Sequence, residues 1–304
     1  MTTSQLLPSW RPGATRDSLI AFLDVAETLP VADRVAVFDN DGTLWCERPM
    51  FPQYDFVEDA LRTAAHKDPT LRERPEFAAV LDGDQAAIGK LGLLAVATAL
   101  VELFQGLTPE EFNASAVEFM ARAQHRVLPI PLLGTVYLPM LELLDELRRR
   151  SFTIFIVSGG GTEFVRAISE DLYGIPPEAV VGTLVEYEFT RTADDVPRLV
   201  RTARMQGNAN EGEHKVTNIQ TQLGRRPILG VGNSGGDREM LEWACAGPLP
   251  GLALLVDHDD GVREFEYVSI AATFAEAAPI TEVARHLGWT VVSMANDWET
   301  IFPN

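Results

Sequence analysis

The chain is poor in cysteine. Only two of its 304 residues are cysteines, Cys46 and Cys245. Two thiols cannot provide the disulfide framework of a small secreted domain, so we predict a reducing, cytoplasmic environment. The first residues also lack a basic region followed by an apolar run, and therefore give no indication of a signal peptide.

Long apolar runs are missing as well. The most apolar window, residues 91–103, is shorter than the roughly 20 residues that a transmembrane helix needs, and it contains Glu102. We therefore predict that this window is a buried helix and that the protein does not enter a membrane.

Positive charge is scarce. The chain has 25 lysines and arginines against 44 aspartates and glutamates, which gives a formal net charge of −19. Such a charge argues against wrapping nucleic acid or binding an anionic membrane. A small phosphorylated substrate remains possible, because one cation at a site can reverse the local field. The sequence does not determine the oligomeric state.

The most informative stretch is an apolar run, Val35–Phe38, that is followed at once by acids. The run is typical of a buried parallel strand. Asp39 and Asp41 follow with one residue between them, and then Gly42 allows a sharp turn. Ligands of open α/β sheets bind beyond the carboxyl ends of the strands. Two acids there are costly unless a cation or a reaction uses them, so this stretch predicts a reactive site.

Strands and helices alternate over much of the remaining chain. Apolar runs predict strands at 152–157, 227–231, 252–256 and 290–294, and helical patterns predict helices at 162–172, 213–223, 238–245 and 280–287. Buried strands alternating with helices indicate a parallel sheet covered on both faces. We therefore predict an α/β fold with a Rossmann-like, doubly wound sheet.

One long segment interrupts this alternation. From about residue 49 to residue 130 the sequence has only helical patterns, broken by proline and glycine. One continuous helix is predicted over residues 86–104, and Thr108-Pro-Glu-Glu111 predicts a capping box. We therefore predict a core domain of residues 1–48 and 131–304 with an all-helical cap domain of residues 49–130. Because the insert begins beside the acids, it is expected to act as a lid.

Two further segments are predicted to be peripheral. Residues 180–203 have short apolar stretches and polar turns, which predict a hairpin beside the main sheet. Residues 257–260 form a polar loop after a strand, and we predict a surface loop in which His258 has no identifiable partner.

Polar residues follow three of the predicted strands, and the ends of such strands meet in one crevice. They are Asp39 and Asp41 after the first strand, Ser158 and Gly159 after the second, and Asn233, Ser234 and Asp237 after the third, with Lys215 at a helix start.

This set of residues suits phosphoryl transfer. Asp39 can attack phosphorus and form an aspartyl phosphate, while Asp41 protonates the leaving oxygen and later activates water. Lys215, the Ser158 hydroxyl and the backbone amides of Gly42 and Gly159 are predicted to stabilise the transferred group. Mg²⁺ prefers oxygen ligands, which Asp39, Asp237 and the backbone carbonyl of Asp41 can supply.

The arrangement resembles the haloacid dehalogenase (HAD) superfamily, in its phosphatase branch. The matching motifs are Asp39-Asn-Asp41-Gly42-Thr43, then Ser158, Lys215 and Gly232-Asn233-Ser234-Gly235-Gly236-Asp237. The run of Ser and Gly after the second strand is similar to that of the phosphoserine phosphatase subgroup. The resemblance implies a Mg²⁺-dependent phosphomonoesterase with a helical cap of the first type, in which Thr43 contributes to phosphate binding.

Two positions depart from the family pattern. Asn233 stands where many relatives have an acid, so it is predicted to be a neutral metal ligand or to support the ligands. Glu47 lies near, but not at, the spacing of the glutamate that phosphoserine phosphatases use for the substrate amine. Asp41 argues against dehalogenation, since dehalogenating relatives lack an acid there. A phosphomutase is not excluded, because mutases of the family share this residue.

Two other motifs compete for the third strand end. Gly230, Gly232 and Gly235 match a dinucleotide-binding fingerprint, which would indicate an oxidoreductase. The same stretch contains Gly-x-Ser234-x-Gly, which with a later His286 has the order of an α/β-hydrolase triad. The first interpretation would place Asp237 at the helix N-terminus where the pyrophosphate should bind, and the second leaves Asp39, Asp41 and Lys215 without a role. The phosphatase interpretation is therefore preferred.

Overall fold

The computed structural model describes residues 6–303, apart from the side chains of residues 93 and 94. Within these residues seven strands form one sheet, in the order β4-β3-β2-β1-β5-β6-β7. The strands are β1 (Val35–Phe38), β2 (Thr153–Gly161), β3 (Val180–Arg191), β4 (Pro197–Gln206), β5 (Leu229–Gly232), β6 (Leu252–Asp257) and β7 (Thr290–Ser293).

The central strands are parallel, as the alternating sequence pattern predicted. β1 pairs in parallel with both β2 and β5, and β5, β6 and β7 continue the sheet in parallel. The predicted hairpin of residues 180–203 is part of this sheet rather than beside it. β3 pairs in parallel with β2, and β4 returns antiparallel to β3 as the edge strand.

Helices cover both faces of the sheet. They are α1 (Ala14–Ala26), α2 (Pro52–Lys67), α3 (Pro75–Asp82), α4 (Gln85–Leu91), α5 (Leu93–Val101), α6 (Pro109–Arg122), α7 (Leu138–Arg149), α8 (Thr162–Tyr173), α9 (Glu213–Leu223), α10 (Arg238–Cys245), α11 (Ile280–Leu287) and α12 (Met294–Asp297).

The short strand β1 shows how the two faces are filled. Ala36 and Phe38 point into the large core that contains α1, α7 and α8, whereas Val37 packs with Ile219 of α9 and Met240 of α10 on the opposite face. Because successive side chains of a strand point to opposite faces, a fully apolar strand requires cover on both. The predicted doubly wound α/β fold is confirmed.

Helices α2 to α6 lie between β1 and β2 in the chain. The capping box predicted for α6 is present, with Thr108 and Glu111 each bonding the other's backbone amide. The continuous helix predicted over residues 86–104 is wrong, because Gly92 adopts φ +88° and separates α4 from α5. Glycine reaches this left-handed region without steric cost, so the chain turns there.

The insert has its own small core and also packs on the main one. Phe77, Val80 and Ile88 belong to the separate cluster, while Phe56 and Phe112 join the large core beneath the sheet. The boundaries 49–130 for a distinct cap domain stay a prediction. In the described part of the chain no single helix is long and apolar enough to cross a membrane; Gln85–Leu91 and Ala95–Phe104 meet that test only together, across a bend of 95°.

Candidate active site

The sheet brings the predicted reactive residues to one edge. Asp39 directly follows β1, and its backbone amide donates to the Val231 carbonyl oxygen of the neighbouring β5 at 2.9 Å. β2, on the other side of β1, carries Ser158 near its end. Lys215 comes from the first turn of α9. Side chains from three separate segments of the chain therefore meet beyond the end of β1, and Asp237 adds a fourth.

Lys215 is the centre of this arrangement. Its ammonium group is 2% exposed and donates to Asp39 Oδ1 at 2.7 Å, Asp237 Oδ1 at 2.6 Å and the Val157 carbonyl oxygen at 2.8 Å. All three of its protons are thereby used, as a buried ammonium requires. The predicted meeting of Lys215, Asp39 and Asp237 is present in the structure.

Asp237 is completely buried and holds the loop after β5. Its Oδ2 accepts hydrogen bonds from the backbone amides of Asn233 and Ser234, both at 3.0 Å. A Cβ on Gly232 would lie 2.5 Å from the Asp237 side chain, so glycine is needed for this close approach. The amides and the space that a dinucleotide pyrophosphate would use are thus taken by a carboxylate, which argues against the oxidoreductase interpretation.

Among the described residues, the alternative nucleophile Ser234 contacts no histidine that could act as its base. Its hydroxyl accepts from the Gly236 amide at 3.2 Å and lies 3.3 Å from Asp237 Oδ2. His286 is exposed on α11, and no hydrogen bond joins it to Ser234 within residues 6–303. Ser234 caps a turn here, so the geometry of an α/β-hydrolase triad is absent from the described structure.

The carboxylates share a buried environment that opposes ionisation. Burial, and then the charge of Asp237, raise the pKa of Asp39 well above its ordinary value, although Lys215 acts in the opposite direction. Burial alone would lower the pKa of Lys215, but Asp237 and Asp39 together raise it. Lys215 therefore remains a cation at neutral pH and holds the two carboxylates together.

Asp41 is held beside this cluster. Its Oδ1 accepts from the Trp45 indole nitrogen at 2.9 Å. Burial, and then the neighbouring charge of Glu47, raise its pKa to about 6. A carboxyl group with such a pKa exchanges a proton near neutral pH, which is the property that a general acid and base requires.

Asn233, Thr43 and Glu47 form a buried polar contact at the start of the helical insert. Thr43 Oγ1 donates to Asn233 Oδ1 at 3.3 Å, and Asn233 Nδ2 donates to Glu47 Oε1 at 3.3 Å. Gly42 has φ +71°, and a Cβ there would overlap the Asn233 side chain. The Gly42 amide, predicted to bind phosphate, instead donates to the Trp45 carbonyl oxygen at 2.9 Å.

The glycines after Ser158 allow the insert to approach the sheet. Ser158 is fully buried, and its hydroxyl accepts from the Gly160 amide at 3.0 Å. Gln53 of α2 accepts from the Gly161 amide at 2.8 Å, and a Cβ on Gly160 would lie 2.8 Å from the same oxygen. Side chains larger than glycine would push α2 away from the site.

Sequence analysis missed a buried network behind the Gly42 turn. His258 is 2% exposed, its Nε2 donates to the Gly42 carbonyl oxygen at 2.9 Å, and its Nδ1 lies 3.4 Å from Glu264 Oε2. Cys46 and Tyr137 both donate to Glu264 Oε1, at 2.9 and 3.0 Å. The prediction that His258 lies in a surface loop without a partner is wrong. The partner belongs to an irregular segment with no local sequence signal.

The side chains at the site are suited to binding a metal cation, because they carry excess negative charge and offer oxygen ligands. Asp39, Glu47 and Asp237 are less than 9% exposed and Asp41 is partly buried, while Lys215 is the nearby ammonium. Such an excess of carboxylate is costly without further positive charge. Within residues 6–303, no three His, Cys, Asp or Glu side chains are arranged to bind a metal by themselves. Mg²⁺ often needs only one or two carboxylates, with water and phosphate as its other ligands.

Asp39, Asp41, Lys215 and Asn233 all line one cavity of about 300 Å³. It is bounded by the ends of β1 and β2, by the first helix of the insert and by the β3–β4 hairpin. Volumes of this size accommodate small organic ligands. The cavity therefore connects the reactive carboxylates with the insert and with the edge of the sheet.

Comparison with solved structures places the fold among known ones. A protein of unknown function from Bordetella pertussis Tohama I has 18% identity and a TM-score of 0.55, covering 85% of this chain and 97% of that one. A functionally unknown protein from Anaerococcus prevotii has 13% identity and a TM-score of 0.56, covering 81% of this chain and 86% of that one.

A phosphoserine phosphohydrolase-like protein from Francisella tularensis is also similar, at 18% identity and a TM-score of 0.40 over 84% of this chain and 99% of that one. No curated protein matches the chain. The sequence model described as haloacid dehalogenase-like hydrolase matches residues 36–242, which include all four motifs at the site. The predicted family is confirmed, and the chain belongs to the haloacid dehalogenase-like hydrolases.

Proposed function

We propose that the protein is a Mg²⁺-dependent phosphomonoesterase that hydrolyses a small phosphorylated substrate through an aspartyl phosphate on Asp39. The observation that carries this proposal is the contact of Lys215 with Asp39 and Asp237 at 2.7 and 2.6 Å, in a cavity that Asp41 also lines. A nucleophilic carboxylate, a proton donor and a fixed cation are the groups that this reaction requires.

In the first step, an Asp39 carboxylate oxygen forms a bond to phosphorus, and the bond from phosphorus to the ester oxygen breaks. Asp41 gives its proton to that oxygen, so the alcohol leaves neutral. The pKa of about 6 supports this role, since a substantial fraction of Asp41 is protonated near that pH. The Ser158 hydroxyl is the proposed donor to the phosphoryl oxygens, and Lys215, whose three protons are already bonded, is proposed to stabilise their charge electrostatically.

In the second step, the Asp41 carboxylate takes a proton from water while the water oxygen attacks phosphorus. The bond between phosphorus and Asp39 breaks, which releases phosphate and restores both aspartates. The backbone around Gly42 fixes Asp41 over both steps, because Trp45 bonds its carboxylate and His258 holds the Gly42 carbonyl group. We propose that Gly159 and Thr43 support the phosphate, directly or through their neighbours.

The groups that we propose to hold Mg²⁺ are the Asp39 carboxylate, the backbone carbonyl oxygen of Asp41 and the Asn233 side chain. Bound there, the ion would neutralise charge on the phosphoryl oxygens. The role of Asp237 as a ligand stays a prediction; in the described geometry its two oxygens contact Lys215 and the loop amides. A phosphomutase on the same residues is the alternative, and it would return the phosphoryl group to an alcohol rather than to water.

A screen of phosphorylated metabolites for release of inorganic phosphate, with Mg²⁺ and with EDTA, tests the proposal. Asp39→Asn should lower turnover by at least about 10⁴-fold, because an amide cannot form the covalent intermediate. Asp171→Asn, an exposed change on α8, is the control and should retain full activity. Full activity of Asp39→Asn would rule out the mechanism, and transfer to an added alcohol without phosphate release would favour the mutase.

A further inference from the structure

The cavity continues beyond the carboxylates into a region lined mainly by apolar side chains. We call this region the apolar chamber. It is formed by the helical insert and by the β3–β4 hairpin, and its walls include Val57, Leu100, Phe104, Phe112, Val185 and Met205. A site for a small polar phosphate ester would not need such walls, because apolar surface contributes to binding only when it is covered by apolar groups of the ligand.

A buried arginine interrupts the apolar lining. Arg201 of β4 lines the cavity and is only 5% exposed. Its backbone is fixed on both sides, since its amide donates to the Leu107 carbonyl oxygen at 2.8 Å and its carbonyl oxygen accepts from Gly106 at 2.9 Å. These bonds tie the hairpin to the segment that precedes α6, so the guanidinium group has a defined position.

The guanidinium group of Arg201 has almost no polar partners. Its Nη1 is 3.5 Å from the Tyr187 hydroxyl oxygen, and its plane lies over the Phe112 ring, 4.0 Å from the centroid. Its Nε is buried and makes no hydrogen bond. Burial lowers its pKa, although the group remains a cation.

Its neighbours on the same strand are different. Arg198 pairs with Glu111 at 2.9 Å, and Arg204 pairs with Glu186 at 2.6 Å. Arg201 forms no ion pair with any described residue, although the nearby charge of Glu163 favours its cationic form. Glu163, which also lines the cavity, pairs with Arg166 at 3.0 Å. A buried cation is costly when its nearest carboxylate is paired with another arginine, and a ligand anion would remove that cost.

The position of Arg201 separates this charge from the phosphate end. β4 lies three strands from β1 in the sheet order. With strands about 4.8 Å apart, the lateral distance is about 14 Å. Arg201 and Asp39 therefore suit opposite ends of one elongated ligand. A single guanidinium group balances one negative charge, as a carboxylate carries, rather than the nearly two of a second phosphate.

We propose that the substrate is an elongated phosphomonoester whose apolar body fills the apolar chamber and whose terminal carboxylate binds Arg201. This inference rests on the proposed function, since it takes the phosphate to be bound at Asp39. It assigns a specificity-determining role to a residue outside the four motifs and outside the helical insert.

Matched pairs of substrates test the proposal. An n-alkyl phosphate and the ω-carboxyalkyl phosphate of the same length, over six to ten carbons, differ only in the group that would meet Arg201. For at least one length, kcat/KM of the carboxylated ester should be about tenfold higher or more. Arg201→Met should reduce kcat/KM for that ester at least tenfold more than for its alkyl counterpart, mainly through KM. Arg201→Lys should retain part of the preference.

Arg204→Met, an exposed arginine of the same strand, is the matched control and should keep the full preference. No preference at any length in the unmodified enzyme, or an equal loss for both esters in Arg201→Met, would overturn the proposal. If neither ester is hydrolysed while the metabolite screen does release phosphate, the inference is overturned and the proposed function stands. If no phosphomonoester is hydrolysed at all, the proposed function fails, and calorimetry with the corresponding alkyl and ω-carboxyalkyl phosphonates tests the inference by binding alone. If Arg201→Met does not fold, the preference of the unmodified enzyme remains decisive.

Discussion

The two ends of the cavity have opposite charge imbalances: negative charge is in excess at one end, and positive charge at the other. At one end Lys215 contacts two carboxylates, and Asp41 and Glu47 are close by, so negative charge is in excess. At the other end Arg201 is also buried, lies among mainly apolar side chains and forms no ion pair within residues 6–303, although the charge of Glu163 acts on it. One cation has more anions than it can neutralise, whereas the other has no ion-pair partner in the described part of the chain.

This difference indicates that Lys215 and Arg201 have different roles, one structural and one in ligand binding. Lys215 is held by hydrogen bonds to three oxygens and stabilises the arrangement of the site before a substrate binds. Arg201 is held by its backbone and by the Phe112 ring, so its polar atoms remain available. The first cation is part of the folded structure, and the second is suited to a partner outside the chain.

Among the substitutions at the two ends of the cavity, removal of the Lys215 ammonium group should have the largest effect on stability. Lys215→Met leaves Asp39 and Asp237 buried side by side without their cation, which should lower the free energy of unfolding by about 3–5 kcal/mol at pH 8. The loss should shrink toward pH 5, because protonated carboxyl groups need no counter-ion. Urea unfolding at both pH values, in EDTA, measures this difference.

Lys67→Met, an exposed lysine near the end of α2, is the control for that change and should leave stability within about 0.5 kcal/mol. Equal stability of Lys215→Met and the unmodified protein at pH 8 would contradict the structural role of the ammonium group. Removal of Arg201 should behave differently, since no folded-state carboxylate depends on it.

Replacement of Asp41 should have the next largest effect, and of opposite sign on stability. The pKa of Asp41 rises from the ordinary 3.8 to about 6 on folding, so the unfolded chain releases this proton first. The free energy of unfolding therefore decreases as pH rises from about 4 to about 6. Well above pH 6 this decrease is complete and amounts to at most about 3 kcal/mol. Asp41→Asn does not titrate and should be more stable by up to that amount at pH 7.5, with no gain at pH 4.

The same substitution should impair catalysis. Without a proton donor, turnover of alkyl phosphates should fall by about 10²–10⁴-fold, whereas aryl phosphates with good leaving groups should lose less. Chemical unfolding against pH and rates with both ester classes give the two readouts. A variant that is less stable at pH 7.5, or that loses both esters equally, would remove Asp41 from the proposed role.

The residues at the carboxylate end could be predicted because their signals are local. Each lies directly after an apolar strand or at a helix start, and topology brings the ends of neighbouring parallel strands together. Asp39, Lys215 and Asp237 meet for this reason. The same rule applies to Ser158, although its hydroxyl is already bonded to the Gly160 amide.

The other end could not be predicted in this way. Arg201 lies in a strand without strict alternation of polar and apolar residues, and the other arginines of this strand, Arg198 and Arg204, are not buried, so the sequence does not single out Arg201 as buried. Its burial depends on Phe112 and Leu107, which are about ninety residues away in the chain. His258 was missed for the same reason, because its contact with Gly42 joins segments far apart in sequence. The break between α4 and α5 depends on the single residue Gly92. It was missed because the apolar periodicity continues on both sides of this glycine and predicts one helix.

A smaller effect is expected where the insert supports Arg201. Phe112 contacts Phe104 and Phe56 edge to face, with centroids 5.1 and 5.6 Å apart, and also lies under the guanidinium group. Phe112→Leu should lower the free energy of unfolding by about 1–2 kcal/mol, since it removes these ring interactions but keeps most of the apolar volume. Phe189→Leu, at an exposed position of β3, is the control for thermal unfolding. A carboxylate preference that survives Phe112→Leu in full would show that Arg201 does not need this ring for its position.

The smallest effect concerns Gln53, which joins the insert to the carboxylate end. Its side-chain oxygen accepts from the Gly161 amide at 2.8 Å, and this part-buried bond is worth about 1 kcal/mol. Gln53→Ala should therefore cost little global stability, but it should accelerate hydrogen exchange at Gly161 by roughly fivefold and raise KM for long and short esters alike. Gln105→Ala, at an exposed position of the same insert, should change neither quantity. If Gln53→Ala instead affected only the carboxylated esters, the two ends of the cavity would be coupled through α2, and their separation into a structural cation and a ligand-binding cation would no longer hold.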